Sequence, residues 1–201
     1  MAKIALSGAM FGDDILTHIR VAGEVGYGGI ELRGMGPLLN GSAEEEFIHK
    51  IEQELNSFNL TPVTFSTWLG CMALRESDKE REAELDRSTA FFSLAQRLNI
   101  PHVRVNPSRL PSFEAEQAHW KSDSLWLGKV ADRAKEYGVS IYMEMHHGTL
   151  ADTAQNSLRL IEMIGRDNVG LVFDPYNLFQ VPTDYGLKAI RALQSLSLIH
   201  I

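Results

Sequence analysis

YMEMHHGT at residues 142–149 and LVFDPYN at residues 171–177 each run as a short apolar stretch into a carboxylate and then break into polar loop. Glu144 closes the first and Asp174 the second, with a helical pattern over residues 153–164 between them. Two successive parallel strands that deliver acids at one end predict a (β/α) barrel, because such barrels draw their chemical groups from strand C-terminal ends. A Glu, an Asp and nearby histidines are also donor types that a divalent metal accepts.

Outward from this pair, strand and helix patterns alternate along the whole chain. Strands are expected at residues 3–8, 29–33, 62–67, 102–106, 139–145 and 169–174, with a seventh in the closing SLSLIHI. Asp13 or Asp14 can cap a first helix whose apolar face is Ile15, Leu16, Ile19, Ala22 and Val25, and Gly26 stops it. Ser42 can cap a second, in which Phe47, Ile48, Ile51, Leu55 and Phe58 make one stripe. A third opens in the charged run of residues 76–87, read as a solvated face. A fourth lies within residues 114–137, and a sixth spans roughly residues 184–194.

A strand-to-strand period of roughly 30–35 residues fits consecutive βα units. The turn after the first strand, SGAMFGDD, lacks the glycine fingerprint of a dinucleotide cradle, which disfavours a doubly wound sheet. A single α/β barrel domain over residues 1–201 is therefore expected. Since eight βα units commonly need about 250 residues, it should stop at its seventh strand.

Composition excludes several function classes. The net charge is −7 with pI about 5.5, which argues against nucleic acid or anionic membranes as partners. One cysteine, Cys71, excludes an internal disulfide and suits a reducing cytosol. No apolar run is long enough for a signal peptide or a membrane helix, so a cytoplasmic protein is expected. A homo-oligomer is compatible with all of this.

Each candidate site residue has a structural alternative. Glu144 is a metal or acid–base group, or else the partner of a neighbouring arginine. Asp174, before Pro175, is a ligand or a turn carboxylate taking backbone N–H bonds. His146 or His147 can approach the site. Asn177 reaches substrate hydroxyls or simply forms a turn. Glu31 and Arg33 bind a polyol or pair with each other, and Asn106 stands at the same mouth. Trp68 is a wall for a sugar ring, whereas Trp120 and Trp126 are packing residues. Cys71 has no basic motif beside it and reads as an inert thiol. His18, His49, His102 and His119 fall away from the mouth and are taken as incidental.

The blocks GIELR at residues 29–33, YMEMHHGTLADT at 142–153 and NVGLVFDPYNL at 168–178 together resemble the xylose isomerase-like TIM barrel family. The resemblance spans essentially the whole chain. It implies a divalent ion (Mn²⁺, Mg²⁺, Co²⁺ or Zn²⁺) held by a strand-five Glu, a strand-six Asp, a strand-seven His and a strand-eight Glu. Glu144 and Asp174 match the first two. His200 matches the first member of the strand-seven His-x-His pair, and the strand-eight Glu has no counterpart here. Where epimerases of the family hold substrate with a histidine, three residues after the Asp, this chain has Asn177.

The function so implied is isomerisation or epimerisation of a small sugar, sugar phosphate or polyol through a metal-stabilised enediolate, with Glu144 moving a proton. An inosose-type dehydratase and a non-catalytic carbohydrate-binding barrel are the alternatives. An endonuclease IV-like repair activity fits the acidic balance poorly.

Overall fold

A computed structural model describes residues 4–8, 11–71, 73–74, 77–181 and 186–194, together with the backbone of 197–199. Seven parallel strands lie in sequence order in one curled sheet: β1 (Ala5–Leu6), β2 (Gly29–Arg33), β3 (Thr61–Ser66), β4 (His102–Val105), β5 (Ser140–Glu144), β6 (Val169–Phe173) and β7 (Ser197–Ile199). Every neighbouring pair is parallel, so all C-terminal strand ends share one rim. The result is the expected barrel, incomplete, with β1 and β7 as edges of the described sheet. β1 is shorter than the run expected for it.

The crossovers are α1 (Ile15–Val25), α2 (Glu45–Ser57), α3 (Asp78–Arg97), α4 (Gln117–Glu136) and α5 (Ala154–Ile164); α6 (Pro175–Leu178) and α7 (Leu187–Leu193) follow β6. Neighbouring helices pack side by side: α1 with α2, α3 with α4, α4 with α5, and α5 with α7. Arg97 of α3 joins Glu45 and Glu52 of α2 in the same layer. No described helix is long and apolar enough to cross a membrane.

Local chemistry explains the boundaries. Asp14 caps α1 by accepting from Thr17 N, and Gly26 ends it in the left-handed region at φ 91°. Val25, expected on the buried face of α1, is instead 67% exposed, at the last helical residue and at the edge of the stripe that Ile15, His18, Ile19 and Ala22 bury. Ser42 does not cap α2. That helix begins two residues later with Glu44 at the N-cap position, where the first-turn acids Glu45 and Glu46 complement the helix dipole. Ser77 and Glu80 open α3 with a reciprocal capping box at its N-terminus. The unexpected helix α6 starts at Asp174-Pro175, an N-cap followed by Pro at the first helical position.

The core lies between sheet and helices, where Ile30, Leu32, Phe65, Val103, Val105, Ile141, Met143 and Leu171 meet Ile19, Ile51, Phe92, Leu127 and Leu160. Trp120 and Trp126 belong to this layer, as expected. Strand alternation turns the intervening residues the other way. One irregularity matters for the site. The β2–β3 register runs Ile30↔Pro62 and then Glu31↔Thr64, so Val63 is an extra residue. Pro62 cannot donate to the ladder, and the bulge beside it brings Glu31, Thr64 and Ser66 to the same face.

Candidate active site

The inner face of the curled sheet is polar. Arg104 is in register with Ser66 on β3 and Tyr142 on β5, and the core residues Ile141 and Met143 alternate with Tyr142 and Glu144. His102 and Tyr142 meet inside with ring centroids 4.3 Å apart and their planes tilted by 42°. Burial pushes the His102 imidazole down and the Tyr142 phenol up from their usual values. His102 therefore lies on the inner face at the start of β4, away from the C-terminal rim as expected, with its Nδ1 buried without a hydrogen-bond partner among the described residues.

Glu144 and Asp174 stand at one end, as expected, on the adjacent strand ends of β5 and β6, with Glu144 in register with Val172. Glu144 Oε2 accepts from Arg104 Nη1 at 2.6 Å, and both side chains are largely buried. The arginine alternative is thus present for Glu144. Arg104 also donates through Nη2 to Thr67 O at 3.2 Å, while its Nε is buried without a partner. Arg104 escaped the sequence reading, although a charged residue alternating with apolar ones in HVRVN was a usable signal.

Asp174 caps α6. Its Oδ1 accepts from Tyr176 N at 2.9 Å and Asn177 N at 3.1 Å, and its Oδ2 accepts from Asn177 Nδ2 at 3.0 Å. Asn177 also donates to Met145 O at 3.3 Å, tying the β5 and β6 ends together. His146 stacks on His147, and its Nδ1 meets the His147 carbonyl, so the structure joins it to its own loop. His200 lies outside the described residues.

On the opposite side of the mouth, Glu31 accepts from Ser66 Oγ at 2.5 Å and from Ser7 Oγ at 3.4 Å. Buried His18 packs on Phe11 and feels the Glu31 charge, which pulls its imidazole up, but burial outweighs this and holds it below its usual value. His18 is thus part of the Glu31 surroundings. Asn106 is buried and donates to Thr67 O at 2.9 Å. Trp68 is half-exposed, with the Arg104 and Arg109 guanidinium carbons 5.7 and 6.0 Å from its ring centroid. Cys71 has basic neighbours after all, Arg109 and Arg104, brought by the fold from β4 and the loop that follows it. Burial still pushes its thiol up, so it reads as inert.

Among the described residues no three His, Cys, Asp or Glu side chains gather closely enough to hold a metal ion. Glu144 and Asp174 are suitable donor types on neighbouring strand ends, but they make an incomplete set for a divalent cation.

A family model described as "Xylose isomerase-like TIM barrel" matches residues 19–201. The rhizopine catabolism protein MocC of Rhizobium meliloti is 27% identical over 171 residues, covering 81% of this chain and 48% of that protein. An L-ribulose 3-epimerase of Mesorhizobium japonicum is 32% identical over 85 residues, 41% of this chain and 29% of that protein. The chain thus spans about half the length, or less, of these curated relatives. Among solved structures, the probable 3-DHS dehydratase AsbF from Bacillus anthracis superposes with a TM-score of 0.86 at 18% identity, covering all of this chain and 73% of that one. A xylose isomerase-like TIM barrel protein from Mycobacterium smegmatis, in complex with magnesium, gives 0.79 at 18% identity over all of this chain and 76% of that one.

Proposed function

The chain belongs to the xylose isomerase-like TIM barrel family, and from that premise we propose that it carries the proton-transfer half of a sugar or polyol isomerase or epimerase. The observation that carries the proposal is the meeting of Glu144 and Asp174 at one rim, on adjacent parallel strand ends. Glu144 takes the proton from the carbon next to a substrate carbonyl. Arg104, bonded to Oε2, fixes the carboxylate so that Oε1, which has no protein partner among the described residues, does this work. Delivery of that proton to the former carbonyl carbon, with the neighbouring hydroxyl proton passing to the former carbonyl oxygen, completes an isomerisation. Delivery of a proton by a second acid to the opposite face of the original carbon completes an epimerisation. Trp68 supplies a flat apolar wall; Glu31, Asn106, Asn177 and His146 are the groups that hold hydroxyls.

Glu144, Asp174 and the sequence-derived His200 would hold a divalent ion with help from outside the described residues. The magnesium complex of the mycobacterial relative supports this. Such an ion, when bound, neutralises negative charge that develops on the carbonyl oxygen. Loss of a β-hydroxyl after the same proton abstraction would make the enzyme a dehydratase, a reading supported by the fold likeness to AsbF.

Proton NMR in D₂O tests the proposal on the protein with Mg²⁺ or Mn²⁺ and a panel of ketoses and inososes. Deuterium should enter the carbon next to the carbonyl, and Glu144→Gln should slow that entry about 10²–10⁴-fold. Binding of panel members without any exchange would leave a carbohydrate-binding barrel instead.

A further inference from the structure

The loops that follow β3 and β4 form one unit. Asn106 N donates to Leu69 O at 2.8 Å, and Arg109 N donates to Cys71 O at 3.0 Å. Gly70 permits this approach: at φ 90°, a Cβ there would lie 2.2 Å from Asn106 O. Trp68, Cys71 and Arg109 all ride on this pair of loops.

A single buried carboxylate from α4 reaches into it. Asp123 is fully buried; its Oδ1 accepts from Ser108 Oγ at 2.7 Å and its Oδ2 from Ser108 N at 3.2 Å. The same hydroxyl oxygen accepts from Leu74 N at 3.0 Å and lies 3.4 Å from Gly70 O. A serine hydroxyl has one proton and two lone pairs. While Asp123 is ionised, the Ser108 proton goes to Oδ1 and is withheld from Gly70 O. Once Asp123 is protonated, its own O–H donates to Ser108 Oγ, and the Ser108 proton turns to Gly70 O. One proton therefore selects between two hydrogen-bond patterns, which differ two residues beyond Trp68.

We propose that Asp123 is a positioning residue for the Trp68–Arg109 wall of the mouth, acting through the Ser108 hydroxyl. That the wall faces substrate rests on the function proposed above; the latch itself does not. Burial pushes the Asp123 carboxyl up to about 6, overcoming the lowering pull of the Ser108 bonds and of Arg81 on α3. The other charged group near the loop from that helix is Glu84, whose Oε1 accepts from Gly70 N at 3.2 Å. The switch between patterns thus falls in a range the protein can meet while folded.

Acrylamide quenching of tryptophan fluorescence between pH 5 and 8 reads the wall without substrate. Trp120 and Trp126 are 2% and 4% exposed against 49% for Trp68, so the accessible fraction reports Trp68, and Trp68→Phe should remove it. The native protein should show a change in quenching with a midpoint near pH 6. Asp123→Asn and Ser108→Ala should each abolish that change, and Ser108→Thr should restore it. On active protein, Asp123→Asn should raise KM several-fold more than it lowers kcat. If Asp123→Asn does not fold, the Ser108 pair decides alone. A transition near pH 6 that persists in Asp123→Asn or in Ser108→Ala overturns the latch, whatever the activity. A lost transition beside an unchanged KM upholds the latch and removes the wall from the substrate site.

Discussion

Arg104 Nη1 lies 2.6 Å from Glu144 Oε2 across the β4–β5 boundary, with the two side chains only 7% and 13% exposed. Arg104 is in register with Tyr142, so the pair meets diagonally, one inward position apart. Two charges withdrawn from water in this way depend on each other more than they stabilise the fold, since desolvation offsets most of their attraction.

Removing one partner should therefore be worse than removing both. Arg104→Met is expected to lower the unfolding free energy by about 3–5 kcal/mol, and Arg104→Met with Glu144→Met should recover most of it. Urea denaturation of the two single variants and the double variant gives the coupling. A loss below about 1 kcal/mol for Arg104→Met would mean that Glu144 is solvated without its arginine.

Asp174 is expected to serve as both cap and ligand, and substitutions can separate the roles. Asp174→Asn keeps an acceptor for Tyr176 N and Asn177 N, so stability should shift little, whereas Asp174→Ala should lose about 1 kcal/mol. Calorimetry with Mn²⁺ should nevertheless show at least about tenfold weaker binding in Asp174→Asn and in Glu144→Gln. Equal affinity in all three proteins would take both carboxylates out of any metal site.

Asp123 also leaves a mark on stability. Its carboxyl titrates at about 6 in the folded chain against 3.8 as its ordinary value, so between these pH values the folded state binds the extra proton. Stability from this group is then fully present below pH 3.8 and falls as pH rises through 6, by on the order of 3 kcal/mol. Asp123→Asn should flatten that part of the urea-derived stability profile between pH 4 and 7. An unchanged slope would show that water reaches the carboxyl in the folded state.

Much of the fold was legible because its signals are local. Glycine stops such as Gly26 and apolar stripes such as Ile48–Ile51–Leu55 are set by neighbours in sequence, and the helices form where these predict. Strand ends bearing Glu144, Asp174 and Asn106 were legible for the same reason. Arg104 against Glu144, the two arginines beside Trp68 and the Asp123–Ser108 latch were not, because each joins residues 15 to 41 positions apart whose approach depends on sheet order. α6 is hidden for a different reason: Asp174-Pro175 reads as a turn, although Asp followed by Pro is equally a helix start.

The extra residue in β3 bears on which changes of chain length the sheet can absorb. Because Pro62 is already opposite Ile30 and Thr64 opposite Glu31, deleting Val63 alone would leave every later partner of β3 unchanged. Deleting Thr64 would instead move Val63 opposite Glu31, setting an apolar side chain where the hydroxyl stood, while Phe65 and Ser66 kept their partners. Val63 is thus a spare residue of β3: its loss would keep Thr64 opposite Glu31 and Ser66 on the inner face, in a ladder without the bulge.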